Sequence, residues 1–328
     1  MTPRQFLKAL NAILRWTPSI FLALVLIIFS AFSPRFFSIE NFGAILVQSS
    51  WLIVVALGMN FVLLTAGVDL SVGAAMYLSA VIIGLDLSSG PIWVCMLAAG
   101  LIGSALGLVN GLFVVRLRLP AFIVTLATTF VGRGLGLFLS STKVVAAGPS
   151  VTDFGRGRFI GVPMPLICGV LAVLLAWLIM NATPFGAYVR SIGADSEGAR
   201  RAGVPREAVT WSVYGICGAF AGLGGFISLS QTSSASSVFG QGAEFLSIAA
   251  AVLGGTSLFG GRGSLWAPVA GAVLIMTVQN GLVMINANPY AYPVITGGVI
   301  FLAALLDSVR SGVVARVNRR QIYKVNPT

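Results

Sequence analysis

Long apolar runs separated by short polar connections dominate the chain. An apolar run of about 18 residues or more can cross a membrane as a helix. The first run follows a basic start, and we interpret it as a helix rather than a cleaved signal, because Pro34 and Arg35 follow without a small-residue cleavage site. The pattern predicts ten spans, approximately at 16–32, 42–64, 72–87, 92–115, 121–140, 163–180, 210–229, 245–259, 265–285 and 290–306.

The composition supports the same class of protein. Hydrophobic residues make up 57% of the chain and charged residues 9%, whereas soluble domains carry about 25% charged residues. We therefore predict an all-α, polytopic membrane protein with a single transmembrane domain over residues 16–307. An N-terminal tail, 1–15, and a basic C-terminal tail, 308–328, flank that domain.

The cysteine and histidine content excludes several kinds of chemistry. Cys95, Cys168 and Cys217 lie in apolar runs, so we do not expect disulfides. The chain has no histidine, which removes Ser-His-Asp and Cys-His nucleophile systems and histidine-based zinc sites. We expect no metal site and no cofactor on this chain.

The distribution of basic residues predicts the orientation. Ten spans place both termini on one side of the membrane. A cytoplasmic placement of the termini assigns 15 Lys and Arg residues to the inside and four to the outside, with Arg133 inside a span. The net charge of +11 therefore fits a membrane orientation signal, and we predict no nucleic-acid partner.

One charged segment, Pro184–Val209, interrupts the apolar sequence; we call it the charged island. Asp195 or Ser196 can cap a short helix, and Glu197 lies in its first turn, where the helix dipole favours an anion. The other end of the predicted helix has Arg200 and Arg201 in the last turn, Gly203 at the C′ position and Pro205 opening a second helix. The island is either a lever for a partner protein or an ordinary positive-inside loop.

Two features leave the membrane topology partly open. Segment 245–259 has only about 15 residues and ends in a glycine-rich stretch, 254–263, so full spanning is not settled. Spans 2–5 and 7–10 would run in opposite directions, an arrangement that permits an inverted repeat as in many transporters.

Polar residues inside predicted spans are candidates for a translocation path. Asp69 either lines that path or caps the following helix through the amide of Ser71 or Val72. A stripe of Thr125, Thr129, Gly132, Gly136 and Ser140 indicates either tight helix packing or a path. Arg133 needs a buried acceptor. The candidate path residues are Asn60, Asp69, Asn110, Thr125, Thr129, Arg133, Gln279 and Asn280.

The chain lacks the sequence of a phosphate-binding loop. A Walker A loop needs Gly-Lys-Ser/Thr, and Lys8, Lys143 and Lys324 each follow a residue other than glycine. We therefore predict no nucleotide site and no enzymatic activity. If ATP drives transport, a separate subunit must bind it, and the charged island is the natural docking surface.

Four motifs occur in order along the chain: Gly-Val-Asp-Leu-Ser-Val-Gly at 67–73, Leu-Pro-Ala-Phe-Ile-Val-Thr-Leu at 119–126 with Arg133-Gly134, the loop 193–204, and Gly-Gly-Thr-Ser-Leu-Phe-Gly-Gly-Arg-Gly at 254–263. Together they resemble the permease subunits of bacterial ABC sugar importers, the ribose/xylose/arabinose/galactofuranose group. The likeness covers roughly residues 40–307. Two positions depart from the family pattern: Gly198 replaces an alanine, and Leu246 replaces an aspartate two residues after Glu244.

The resemblance implies an ABC importer permease fold in the bacterial inner membrane, with both termini cytoplasmic. It implies a pore made by two permeases, either two copies or a related pair, and a periplasmic protein that delivers a monosaccharide. ATP and Mg would be held by two ATP-binding subunits. These subunits would dock near the residues expected to couple them to the permease: Asp195, Glu197, Ala199, Arg200, Arg201 and Gly203.

Two alternatives remain open at the level of sequence. An ion-coupled secondary transporter acting alone would use Asp69, Arg133 or Glu244. An ABC permease for a non-sugar solute, such as a branched-chain amino acid, would need a basic anchor for the carboxylate, and Arg133 is the candidate. A membrane hydrolase is not supported, because the sequence offers no nucleophile–base pair.

Overall fold

The structure, a computed structural model, describes residues 17–298, 301, 302 and 305. The predicted tails, 1–15 and 308–328, lie outside the described residues. The described chain is mainly helical, with four two-residue strands, which confirms the all-α prediction. The helices that overlap predicted spans are α1 Thr17–Phe32, α2 Ile39–Leu64, α3 Val72–Ile82, α4 Ile92–Arg116, α5 Ala121–Ser140, α7 Met164–Asn181, α10 Arg206–Thr232, α11 Ala243–Leu253 and α12 Trp266–Met284.

Short elements connect these helices. Strand β1 (Val145–Ala146) pairs antiparallel with β4 (Ser234–Ala235), and β2 (Arg158–Phe159) pairs with β3 (Val162–Pro163). The remaining short elements are helix α6 Pro149–Arg156, α8 Pro184–Ala194, α9 Ser196–Arg201, a π-helical turn Ile83–Leu87 after α3, and a 3₁₀ turn Pro289–Ala291 that leads into helical residues 292–298.

Nine of the predicted spans overlap a helix, although not all of these helices are long. The tenth, 290–306, is helical at residues 292–298 and lies partly outside the described residues. Within the described residues, six helices (α2, α4, α5, α7, α10 and α12) are long and apolar enough to cross a membrane. Helix α11 has 11 residues and ends at Leu253, six residues before the predicted end of that span. At about 1.5 Å per residue it reaches roughly half the thickness of a bilayer core.

The described residues form two compact units. One unit combines the described residues up to Phe42 with those from Leu274 onward. Its buried cluster contains Val25, Phe29 and Phe36 together with Val278 and Leu282. The rings of Phe29 and Phe36 lie 5.4 Å apart, and burial of such large apolar groups holds this unit together.

The second unit, Gly43–Val273, is built around a glycine seam between α4 and α10. Gly103 and Gly107 on α4 meet the backbone of α10: a Cβ on Gly103 would overlap the Gly218 carbonyl, and a Cβ on Gly107 would overlap the Tyr214 carbonyl. Gly222 in turn lies against the Ala99 carbonyl. Small residues at intervals of four let two helix backbones approach closely in lipid. The partners run in opposite sequence order, so the two helices are antiparallel.

Candidate functional site

The charged island folds as its sequence predicts. Asp195 adopts an extended backbone (φ −156°, ψ 98°) and caps α9: its Oδ1 accepts hydrogen bonds from the amides of Glu197 (3.1 Å) and Gly198 (3.0 Å). Of the two predicted caps, Asp195 is therefore the one used. Gly203 follows α9 in the left-handed conformation (φ +82°), which glycine adopts at little cost, and Pro205 immediately precedes α10.

Gly198, where the family pattern has alanine, is explained by this cap. A Cβ at this position would lie 2.6 Å from Asp195 Oδ2, so the missing side chain makes room for the capping carboxylate. The family residue would improve helix propensity by up to about 1 kcal/mol, but it would crowd a cap that contributes a similar amount.

The charges of α9 form a preformed and exposed cluster. Glu197 binds Arg200 through both carboxylate oxygens, at 2.6 and 3.0 Å, and accepts a longer bond of 3.4 Å from Arg201. The hydrogen bonds from Arg200 lower the pKa of Glu197 below its ordinary value. Ala199 is buried on the opposite face. Exposed ion pairs contribute little to stability, so the cluster is better suited to presenting an ordered charge pattern than to holding the fold.

Within the charged island, the end of α8 contacts helix α2. Gly193 and Ala194 lie against both α2 and the stretch 254–263, which we call the glycine loop. A Cβ on Gly193 would overlap the Leu64 carbonyl, a Cβ on Gly261 would lie 2.6 Å from the Ala194 Cα, and the Gly261 amide donates to the Leu64 carbonyl at 3.0 Å. Three backbones therefore meet without intervening side chains.

Asn60 fixes the glycine loop to α2. Its Oδ1 accepts a 2.7 Å hydrogen bond from the Thr256 hydroxyl, and its Nδ2 donates to the Ser264 carbonyl at 3.4 Å. Asn60 and Thr256 are both buried. This candidate path residue thus links two segments of the chain.

Asp69 and Asn110, two further candidates, lie in one buried cluster with Ser71. Asp69 Oδ1 accepts from the Ser71 amide (2.8 Å), the Ser71 hydroxyl (2.6 Å) and Asn110 Nδ2 (3.4 Å), while Asn110 Nδ2 also donates to the Ser71 hydroxyl at 2.8 Å. The predicted bond to the Ser71 amide is present at the start of α3. Asp69 Oδ2 has no hydrogen-bond partner among the described residues.

The polar stripe of α5 packs on α3. Thr129 donates to the Leu70 carbonyl at 2.8 Å, and Thr125 is fully buried and donates to the Ala121 carbonyl at 2.9 Å. Further along, a Cβ on Gly136 would lie 2.6 Å from the Tyr77 ring, whose hydroxyl contacts Ser140 at 3.3 Å. These contacts match the packing interpretation of the stripe.

Arg133 differs from its neighbours, because it retains unused hydrogen-bonding capacity. Its guanidinium carbon lies 6.0 Å from the Tyr77 ring centroid, and Nη1 donates to the Ser237 carbonyl at a long 3.5 Å. Glu244, at the start of α11, is 9% exposed and borders the same region, since a Cβ on Gly73 would overlap its Oε2. Arg133 Nη2 and Glu244 Oε2 are buried without a hydrogen-bond partner among the described residues.

The remaining candidates belong to the other unit. Gln279 is half-buried on α12, and Asn280 is buried, with an Oδ1 that finds no partner in the described part of the chain. The sequence-based candidate set omitted Tyr77 and included Glu244 only under ion coupling. The sequence signal that could have identified both residues is a polar side chain within an otherwise apolar segment: the hydroxyl of Tyr77 and the carboxylate of Glu244.

In the described part of the chain, six membrane-length apolar helices with buried polar clusters between them are the architecture of a multi-pass membrane protein. The sequence model of the family described as "branched-chain amino acid transport system / permease component" matches residues 41–304. The chain belongs to this family, as a permease subunit of the ABC importer class.

Named relatives cover nearly the whole chain. The ribose import permease protein of Escherichia coli strain K12 is 36% identical over 300 residues, which is 88% of this chain and 92% of the relative. The corresponding Bacillus subtilis protein is 37% identical, covering 90% of this chain and 92% of the relative. The D-allose transport system permease protein of E. coli is 34% identical, covering 88% and 90%. No solved structure matches the chain significantly.

Proposed function

We propose that the chain is the membrane-spanning permease subunit of an ATP-driven importer for a monosaccharide. Its partners would be separate ATP-binding subunits, a second permease and a periplasmic sugar-binding protein. The relatives that cover most of the chain are named for ribose, allose and galactose import.

The observation that carries this proposal is the direct backbone contact between the charged island and the helices that cross the membrane. Helix α9 presents Glu197 and Arg200 in fixed geometry. Through the end of α8, the island touches α2 and the glycine loop. A partner that moves α9 would therefore move segments that hold the buried clusters. The distribution of 15 against four basic residues supports a cytoplasmic position for the island and both termini.

The energy for transport would come from the partner subunits. The chain has no Gly-Lys-Ser/Thr sequence, so ATP and Mg would be bound elsewhere and no covalent chemistry would occur on the permease.

For the path itself, Arg133 and Glu244 are the strongest candidates for contact with the solute. Arg133 Nη2 can donate to a sugar hydroxyl, and Glu244 Oε2 can accept from one. Asn60, Asp69, Asn110, Thr125 and Thr129 use their polar atoms mainly to hold loops and helices together. Gln279 and Asn280 remain candidates on α12.

The test is sugar uptake by the complete transporter, reconstituted in liposomes with its ATP-binding subunits and binding protein. A triple change of Glu197, Arg200 and Arg201 to alanine should abolish ATP-driven uptake while leaving the permease folded. The matched control changes Asp153, Arg156 and Arg158, three exposed charges on the other side of the predicted topology, and should retain uptake. Unimpaired uptake in the first variant would refute the coupling role.

A second candidate function is import of an amino acid. The family description names branched-chain amino acids, and Arg133 with Glu244 could bind the carboxylate and ammonium of a zwitterion. Uptake assays with labelled ribose, allose, galactose and leucine, each repeated with unlabelled sugar or unlabelled leucine as competitor, separate the two functions. Inhibition by sugars alone supports the sugar importer, whereas uptake of leucine alone supports this alternative.

A further inference from the structure

Two adjoining cavities open on the charged-island side of α4 and α10. The larger, about 860 Å³, is lined by residues of α9, of the connection between α4 and α5, and of the first turn of α10. The smaller, about 420 Å³, lies beside the last turns of α4. Val115, Glu207 and Ala208 line both cavities, so the two form one continuous groove.

The larger cavity forms a basic end of the groove. The smaller cavity forms an end that is mainly apolar, apart from Arg116 and Glu207. Arg118, Arg200 and Arg206 line the larger cavity, and Arg116 lines the smaller one. Glu197 and Glu207 are the acidic residues of the lining, so the four arginines leave an excess of two positive charges. In the described part of the chain, the side chains of Arg116 and Arg118 have no hydrogen-bond or ion-pair partner.

The apolar end has the character of a membrane–water boundary. Leu112, Val115 and Trp211 line the smaller cavity, next to the end of a 25-residue apolar helix. The Trp211 ring is held in place by a 2.9 Å hydrogen bond from Nε1 to the Leu108 carbonyl, and 43% of the residue is exposed. Tryptophan is enriched at this depth, where one edge of its ring is solvated and the rest contacts lipid.

We propose that this groove binds the headgroup and upper acyl chain of an anionic phospholipid from the cytoplasmic leaflet. The phosphodiester would bind Arg116 and Arg118, the hydroxyls of a glycerol headgroup would donate to Glu207, and the acyl chain would lie along Leu112 and Trp211. Basic pockets between helices at the cytoplasmic surface bind such headgroups. The assignment of the leaflet rests on the orientation given under the proposed function.

The bound lipid would lie against the coupling surface. Arg200 and Glu197 line the same cavity. A headgroup bound there would therefore contact α9 and affect its position. The apolar wall and the interfacial tryptophan favour a lipid over a soluble anion, because a free phosphate would use only the basic end of the groove.

The test uses the fluorescence of Trp211 in the full chain, reconstituted in bilayers of phosphatidylcholine. Small amounts of brominated phosphatidylglycerol or brominated phosphatidylcholine are added, and the difference between the protein and its Trp211→Phe variant isolates the Trp211 signal. We expect phosphatidylglycerol to quench Trp211 at a lower mole fraction than phosphatidylcholine does.

Charge removal then tests the site itself. Arg116→Gln with Arg118→Gln should reduce the preference for phosphatidylglycerol about 25-fold, because each basic residue near an anionic surface contributes roughly a factor of five. The lysine pair at the same positions, which also controls for folding, should retain the preference. The control Arg156→Gln with Arg158→Gln, two exposed arginines of the other connection, should leave it unchanged.

Three results would overturn the proposal: equal quenching by the two lipids, a preference that survives the glutamine pair, or loss of the preference when inorganic phosphate replaces chloride at equal ionic strength. The last result would assign the groove to a soluble anion. The measurement needs neither solute nor ATP-binding subunit. Absent lipid preference with intact sugar uptake would therefore refute the lipid site alone, and failed uptake with intact preference would refute only the importer function.

Discussion

At the scale of single residues, Asp69 shows how a buried carboxylate can serve structure. Its Oδ1 accepts three hydrogen bonds from Ser71 and Asn110. We predict that Asp69→Ala lowers the unfolding free energy by about 1–3 kcal/mol, since buried donors lose their acceptor. Asp69→Asn should cost less, because an amide oxygen can replace Oδ1. Thermal melting in detergent measures both, with the exposed Asp86→Asn as control.

The same two variants test ion coupling. If Asp69→Asn retains its melting temperature but loses solute uptake, the charge of Asp69 is required for transport. That outcome would contradict the structural role and would favour a secondary transporter.

The cap of α9 gives a second prediction at this scale, because the sequence offered both Asp195 and Ser196. Asp195 accepts two amide hydrogens, whereas Ser196 Oγ has no hydrogen-bond partner among the described residues. Asp195→Ala should destabilise α9 by about 0.5–2 kcal/mol, and Ser196→Ala should have little effect. Amide hydrogen exchange at residues 197–201 provides the measurement; equal protection in the two variants would disprove the assignment.

The ion pair of α9 makes a pH prediction. Because hydrogen bonds from Arg200 lower the pKa of Glu197, the pair persists above the lowered pKa and is lost as the pH falls through it. Glu197 should therefore titrate below the ordinary glutamate value of about 4.3, and Arg200→Ala should raise its midpoint. An isotope-edited infrared titration measures this. Arg190→Ala, which removes a bond to Asn181 instead, should leave the midpoint unchanged.

At the scale of whole elements, the glycine seam should be sensitive to single methyl groups. Gly103→Ala places a Cβ into the Gly218 carbonyl and should cost about 1–3 kcal/mol by forcing α4 and α10 apart. Gly100→Ala is the matched control on the same helix, since its Cβ would meet Leu223 at an ordinary 3.9 Å. Thermal melting should separate the two variants, and equal melting temperatures would show that the seam tolerates separation.

The elements differ in how much of them can be predicted from sequence. The α9 cap depends on residues two and three positions apart, and the membrane spans depend on continuous apolar runs, so local pattern predicts both. The seam pairs Gly103 with Gly218, and the polar region near α3 brings Arg133 close to Glu244. Such pairs are more than 100 residues apart in the chain, and many glycines could have been partners. Only the packed structure selects among them.

At the scale of the whole molecule, the proposed coupling requires that motion of the charged island reaches the buried clusters. Within Gly43–Val273, the connection has few steps: Gly193 and Ala194 touch Leu64 and Gly261, and the glycine loop is held to Asn60 through Thr256. Backbone contacts transmit displacement well, because they have no flexible side chain to absorb it. Transmission of a displacement from the charged island to the buried clusters therefore depends on backbone packing rather than on side-chain rotamers.

This arrangement predicts an uncoupled transporter when the contact is widened. Gly193→Val would push the end of α8 away from the Leu64 carbonyl, while α9 and its charges remain available to an ATP-binding subunit. We expect ATP hydrolysis to persist in the reconstituted complex while sugar uptake falls at least tenfold, a change of about 1.4 kcal/mol in coupling. Gly134→Ala, at a position with open space around it, is the control. Equal loss of hydrolysis and uptake would instead indicate failed docking or folding, so the ratio of sugar imported to ATP hydrolysed is the quantity that decides.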